Sequence, residues 1–240
     1  MIKKTKGIVL RTIKYRESSL ICQIYTLEMG LRSYIVSGVK SSKGRSKSAY
    51  FHPLSILRLV VYDKENADLN RIKEFELDTV FQNIPFDVVK GACALFMTEV
   101  LRSVLIEKNS NTEVYAFVEK QIHILEHATS RQLTVAPLLF LIGLADVLGF
   151  CPDCRDYKED SFLDMREGLF VMHTPLHTDY FDKEESKAIS QMLSVHHDIA
   201  QLELKKSIRN VLRAKLLQYF KVHIDSFRDI QSDKILSQVL

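Results

Sequence analysis

Five short runs rich in β-branched and aromatic residues occupy the first eighty positions, and they constrain the fold most. "GIVLRTIKY" (7–15), "SLICQIYTL" (19–27) and "LRSYIVSGV" (31–39) are followed by "LSILRLVVYDK" (54–64) and "DLNRIKEFEL" (68–77). Their partial alternation has the period of a strand that buries one face. Leu20, Cys22 and Ile24, for example, fall on one side of the second run. "EMG" (28–30) has the composition of a tight hairpin turn. Five strands in this space predict a small antiparallel barrel. An OB-fold leads, because it is a five-stranded barrel that commonly binds single-stranded nucleic acid. An SH3-like barrel is the alternative, and periodicity does not separate the two.

Between the third and fourth runs lies "SGVKSSKGRSKSAY" (37–50), with five Ser, four Lys or Arg and two Gly. Its place between strands makes it a basic loop on the barrel. Residues 1–50 hold eleven Lys/Arg and two acids, a net +9. The whole chain is +3, so the remaining 190 residues carry −6. This asymmetry points to a polyanion as partner of the N-terminal part, with a solvated basic surface as the alternative. Arg11, Lys14, Arg16, Arg32, Lys40, Lys43, Arg45 and Lys47 are the expected phosphate contacts. Tyr15 and Tyr34 stand beside them, as stacking surfaces tolerant of any base or as half-buried strand packing.

From Pro85 onward the pattern becomes helical. Segments 86–107, 111–128, 134–150, 182–195 and 201–223 are expected helices, and 134–150 is apolar nearly all round, as a central bundle helix would be. The fold class is therefore α+β and multidomain. An antiparallel OB-like barrel over 1–80 precedes an all-α bundle over 81–240. Within the last of these helices Lys205, Lys206, Arg209 and Arg213 gather on one side, as a solvated face or a dock for an acidic partner peptide.

"CPDC" (151–154) is a C-x-x-C pair, and "HTPLH" adds His173 and His177, making C-x2-C-x18-H-x3-H. That spacing is near those of zinc sites with two Cys and two His. The expectation for 151–177 is a degenerate zinc-finger-like insertion, with two free cysteines in a loop as the simpler alternative. Cys22 and Cys93 read as small core residues. Phosphate loops, the G-x-S-x-G elbow and H-E-x-x-H do not occur in the sequence. No carboxylate cluster for two metal ions can be assigned, so a nuclease is disfavoured and the chain is read as a non-enzyme. No run resembles a secretory signal or a membrane span, and the reading is cytoplasmic.

The order of motifs resembles a known family. The stretch from "GIVLRTIKYRESS" through "SGVKSSKGRSKSAYFHPLSIL" is similar to the N-terminal domain of the RecO recombination mediators, on Gly7 to Leu10, Tyr15, Glu17, Thr26, Gly30, Gly38, Lys40, Ser46 and Pro53. "LADVLGFCPDC" and "LRAKLLQYFKVHIDSFRDIQSDKIL" resemble the family's mid-chain helix end and its last helix and tail. The resemblance implies a DNA repair and recombination factor, nucleoid-associated and not an enzyme. It would bind single- and double-stranded DNA and anneal complementary strands. It would act with RecR, contact the acidic C-terminal tail of single-strand-binding protein, and indirectly serve RecA. Many members carry a four-Cys zinc site. Here Cys151 falls immediately before Pro152, and "VMHTP" stands where a second Cys pair would be. An RNA-binding OB-fold module is the rival reading, since the fold serves RNA too.

Overall fold

The computed structural model describes residues 1–39, 47–64, 67–105, 109–194 and 204–240. It comprises two compact units, Met1–Glu126 and His127–Leu240.

The first unit is built on a closed five-stranded barrel: β1 (Ile2–Tyr15), β2 (Ser19–Thr26), β3 (Gly30–Ser37), β4 (Ile56–Tyr62) and β5 (Asn70–Leu77), in the order β1-β2-β3-β5-β4. Closure is possible because β1 serves two partners. Its first half, Ile2–Ile8, pairs with β4, and its second half, Gly7–Tyr15, pairs with β2. A bulge between Val9 and Arg11 adds the local twist that the bend requires. Gly7 sits where the two ladders overlap. A Cβ there would lie 2.5 Å from Ile24 Cγ2 and 3.1 Å from Leu59 Cδ1, so only glycine lets the sheets approach.

The barrel is OB-like, but it is not wholly antiparallel as expected. β3 and β5 run parallel where they meet, at Tyr34 with Asn70 and Ile35 with Arg71. The long basic connection makes this possible. It carries the chain across to β4, so that β5 returns beside β3 in β3's own direction, which a tight hairpin does not allow. Val9, Leu20, Cys22, Ile24, Tyr34, Val36, Leu57, Leu59 and Val61 fill the interior. Each such aliphatic side chain contributes about 1.5–3 kcal/mol by leaving water.

Helices α1 (Val88–Val104) and α2 (Thr112–His127) complete this unit. Asp87 caps α1 by accepting from Val89 and Lys90 N–H. Tyr25 on β2 meets Tyr115 on α2 at 5.8 Å between ring centroids, and its hydroxyl donates to Asn111 O at 3.0 Å. The β5–α1 connection is fixed by buried Glu126, whose carboxylate accepts from the N–H groups of Gln82, Asn83 and Ile84 and from the Asn83 amide.

The second unit holds α3 (Ser130–Leu133), α4 (Ala136–Val147), α5 (Lys183–Ser194), α6 (Lys206–His223) and α7 (Asp233–Val239). Apolar α4 packs on α6, and Phe150 just beyond α4 stacks on His223 and meets Phe220 edge-on. The unit is helical but not all-α. A three-stranded antiparallel sheet, β7-β6-β8, is formed by β6 (Phe162–Asp164), β7 (Leu169–Val171) and β8 (Tyr180–Phe181). Strands of two or three residues are too short to leave a period in the sequence. Among the described residues no helix is long and apolar enough to cross a membrane.

Candidate nucleic-acid interface

Beyond the bulge, alternation on β1 is re-set. Thr12 turns inward, where it touches Cys22, while Arg11, Ile13 and Tyr15 point out opposite Gln23, Ile21 and Ser19. Arg11, Ile13 and Lys14 are exposed and Tyr15 is half-buried. The hairpin turn then places Arg16 in the left-handed region at φ 55°, with its guanidinium over the Tyr15 ring, 5.2 Å from the centroid. For a non-glycine residue this backbone costs roughly 1–2 kcal/mol. The cation–π contact offsets part of it, at ~0.5–1 kcal/mol for an exposed pair.

Both flanks of the basic connection are tied to this hairpin. On one side Val39 N–H donates to Ser18 O at 3.0 Å, just after Gly38 turns the chain at φ 71°. On the other, the Thr12 hydroxyl donates to Phe51 O at 2.8 Å, at the end of the 3-10 turn Lys47–Phe51. Lys40, Lys43 and Arg45 lie outside the described residues, and Lys47 opens the 3-10 turn. Arg11, Lys14, Tyr15 and Arg16 thus share one rim with the anchored ends of the basic segment.

Two expected contacts belong elsewhere. Tyr34 has no exposed surface and stands in the barrel core, so its ring is not a stacking platform. Inward alternation with Cys22 opposite dictates this. Burial, with Asp63 adding, pushes its phenol well above the ordinary tyrosine range. Arg32 is half-buried near the β2–β3 turn, and its enclosed Nε has no hydrogen-bond partner among the described residues. Five residue steps along β3, roughly 16 Å at ~3.3 Å per residue, separate it from Ser37 and the rim.

Other N-terminal cations are used internally. Lys3 pairs with buried Asp63 at 2.7 Å, and Lys6 bridges Asp78 at 2.9 Å and Glu119 at 2.8 Å. The Glu119 hydrogen bond, against the effect of burial, raises the Lys6 pKa above its ordinary value. Sequence reading missed one neighbour of the rim. Arg102 on α1 donates through Nε–H to Gln23 Oε1 at 3.1 Å. A contact 79 positions apart leaves no local signal.

In the second unit, the expected basic face of α6 is only partly available. Lys205 and Lys206 are exposed. Arg209 donates to the carbonyls of Leu204 and Leu240. Arg213 is 3% exposed and is held by Asp233, by Asn210 Oδ1 at 3.2 Å and by Ser237 Oγ at 2.7 Å. It fastens α7 to α6 and is buried there, because the short helix α7 brings its counter-charge from beyond the region where α6's own pattern is read.

Comparison with known proteins bears directly on this arrangement. The family model "Recombination protein O N terminal" matches residues 1–81, and "Recombination protein O C terminal" matches residues 85–229. DNA repair protein RecO of Flavobacterium psychrophilum is 34% identical over 239 residues, covering 98% of each chain. The protein of the same name from Phocaeicola vulgatus is 31% identical over 240 residues, covering 100% of this chain and 99% of its own. The chain belongs to the RecO family. The first RecO model ends on the barrel, while the compact unit continues to Glu126 because α1 and α2 pack on the barrel wall.

A zinc site in this region would draw on Cys151, Cys154, His173 and His177. Cys151 and Cys154 are half-buried, His173 is exposed, and His177 Nε2 lies 3.2 Å from Asp164 Oδ2. Burial, together with Asp146 and Cys154, pushes the Cys151 thiol up to about 12. Among the described residues no three His, Cys, Asp or Glu side chains converge as a metal site. Cys151, Cys154, His173 and His177 therefore do not fit zinc in this arrangement.

Proposed function

We propose that this chain is a DNA repair and recombination mediator that binds single- and double-stranded DNA and anneals complementary strands. The observation that carries the reading is the double anchoring of the basic segment on the hairpin that bears Arg11, Lys14, Tyr15 and Arg16. Such a rim neutralises phosphates and releases counterions. Tyr15 offers a ring for a base. Annealing then needs no catalytic group, since lowering the repulsion between two strands is enough to favour pairing. On this reading the chain is not an enzyme and works in the cytoplasm at the nucleoid. With RecR it helps load RecA onto DNA coated with single-strand-binding protein, whose acidic tail it contacts. Membership of the RecO family supports these roles.

The test is fluorescence anisotropy with a labelled oligothymidine at moderate salt, on the wild type and on Arg11→Glu/Lys14→Glu/Arg16→Glu. Loss of binding with an unchanged melting transition is the expected result. Unchanged affinity contradicts the assignment of the rim. Competition by matched RNA separates this reading from its rival, and a strong RNA preference favours an RNA-binding module.

A further inference from the structure

We infer that a hollow in the first unit takes one unstacked base of the DNA strand, beside the place where the basic connection rejoins the barrel. The inference rests on the DNA-binding reading and adds a base site to its phosphate contacts.

Three segments wall the hollow: residues 49–55 at the return of the basic connection, residues 77–85 at and beyond the end of β5, and the start of α1 at Gly91 and Ala94. Its volume is about 220 Å³. That is below the ~300–1,000 Å³ of a site for a drug-sized ligand, and it suits a single planar group. Exposed Pro53 and Val80 and half-buried Phe81 give it apolar walls, and His52 adds an exposed imidazole. None of the described lining residues is acidic. Asp78, which falls between two of them, is paired with Lys6 and Arg58.

Two observations favour a base of the bound strand as the occupant. The first is continuity with the rim. The wall at 49–55 is bonded to β1 at three points. The Thr12 hydroxyl donates to Phe51 O at 2.8 Å, Leu54 N–H to Val9 O at 2.8 Å, and Val9 N–H to Ser55 O at 2.9 Å. Arg11, a cation of the rim, lies between Val9 and Thr12 on that strand. The wall of the hollow and the rim are thus one bonded piece of structure. The second observation is Gly91. It sits within α1, where glycine is less favourable than alanine. A Cβ built there meets only Ile84 O, at 3.8 Å, an ordinary contact. Packing does not require this glycine, and its bare backbone lets a flat group approach closely. The chemistry is also indifferent to sequence, since every base has a π-face to cover.

The experiment compares, by anisotropy on the full chain, labelled oligothymidine with an abasic oligonucleotide of equal length, which keeps the phosphates and lacks the bases. Gly91→Leu fills the hollow with a helix-favouring residue. It is expected to weaken oligothymidine binding about fivefold or more, the lower end for loss of one base contact, and to leave abasic binding unchanged. Gly91→Ala is expected to raise the urea midpoint while lowering oligothymidine affinity to a smaller extent, and it decides the matter if Gly91→Leu loses the native melting transition. An equal loss on both ligands overturns the inference, because it marks a distorted rim and not a base site. Unchanged oligothymidine binding in the Gly91 variants, alongside loss of binding in Arg11→Glu/Lys14→Glu/Arg16→Glu, overturns it and leaves the rim intact. Altered sedimentation of Gly91→Leu in that case assigns the hollow to a second copy of the chain. Unchanged binding in the rim variant overturns the DNA-binding reading itself.

Discussion

The Thr12 hydroxyl donates to the backbone carbonyl of Phe51 at 2.8 Å, joining the inner side of the β1–β2 hairpin to the end of the basic connection. This bond fixes where the basic connection rejoins the barrel, as the Val39 N–H to Ser18 O bond fixes where it leaves. Thr12→Val keeps the shape and removes the donor. The expected stability loss is about 1 kcal/mol, the net worth of one hydrogen bond. DNA affinity should fall by more than stability alone would produce, because the segment's return to the rim is loosened. Urea denaturation and anisotropy on the same variant check both.

Tyr34 offers the opposite case. Its hydroxyl is buried without a hydrogen-bond partner among the described residues. Removing an unsatisfied buried hydroxyl relieves a desolvation cost of about 1–3 kcal/mol. Tyr34→Phe is expected to match or exceed the wild type in urea midpoint and to bind DNA equally well. A loss of DNA affinity would restore the stacking role that burial denies.

Glu126 should make the first unit sensitive to acid. Burial opposes its ionisation, but the N–H groups of Ile84, Gln82 and Asn83, with the Asn83 amide, outweigh it and hold the pKa below the ordinary 4.5. A depressed folded-state pKa stabilises fully above the unfolded value, and the contribution is lost as pH falls through the folded one. Glu126→Gln is expected to cost about 2 kcal/mol near neutral pH, as lost hydrogen bonds to a charge. The gap to wild type should narrow below pH 4.5. Denaturation at several pH values measures it, and a constant gap would contradict the assignment.

Arg213 predicts a fold effect where the sequence suggested a partner effect. Arg213→Met leaves Asp233 without its buried counter-charge and detaches α7. Since Asp233 is partly exposed, the expected loss is about 2–3 kcal/mol, less than for a fully buried pair. Hydrogen exchange should show faster exchange over 233–239. Wild-type protection there would contradict the anchoring role.

The barrel was legible because its strands alternate and the β2–β3 turn carries Gly30, and β2 through β5 lie within about two residues of their expected ends. The start of β1 was missed. Lys3, Lys4 and Lys6 mask its alternation, although Lys3 and Lys6 are neutralised by Asp63, Asp78 and Glu119 from distant positions. The parallel β3–β5 pairing was equally hidden, because pairing direction depends on chain path and not on local pattern. For the candidate site, Arg11, Lys14, Tyr15 and Arg16 were legible as one hairpin. Tyr34 was misplaced because charged neighbours in sequence do not show which way an alternating side chain points. Arg102 had no signal at all.

Strand annealing tests the central claim most directly. Complementary oligonucleotides, one labelled with a donor fluorophore and one with an acceptor, are mixed with and without cognate single-strand-binding protein. The account predicts faster pairing with the wild-type chain, rates close to the protein-free control with Arg11→Glu/Lys14→Glu/Arg16→Glu, and annealing that persists on coated strands. Pairing at the spontaneous rate in the presence of correctly folded wild-type protein would contradict it.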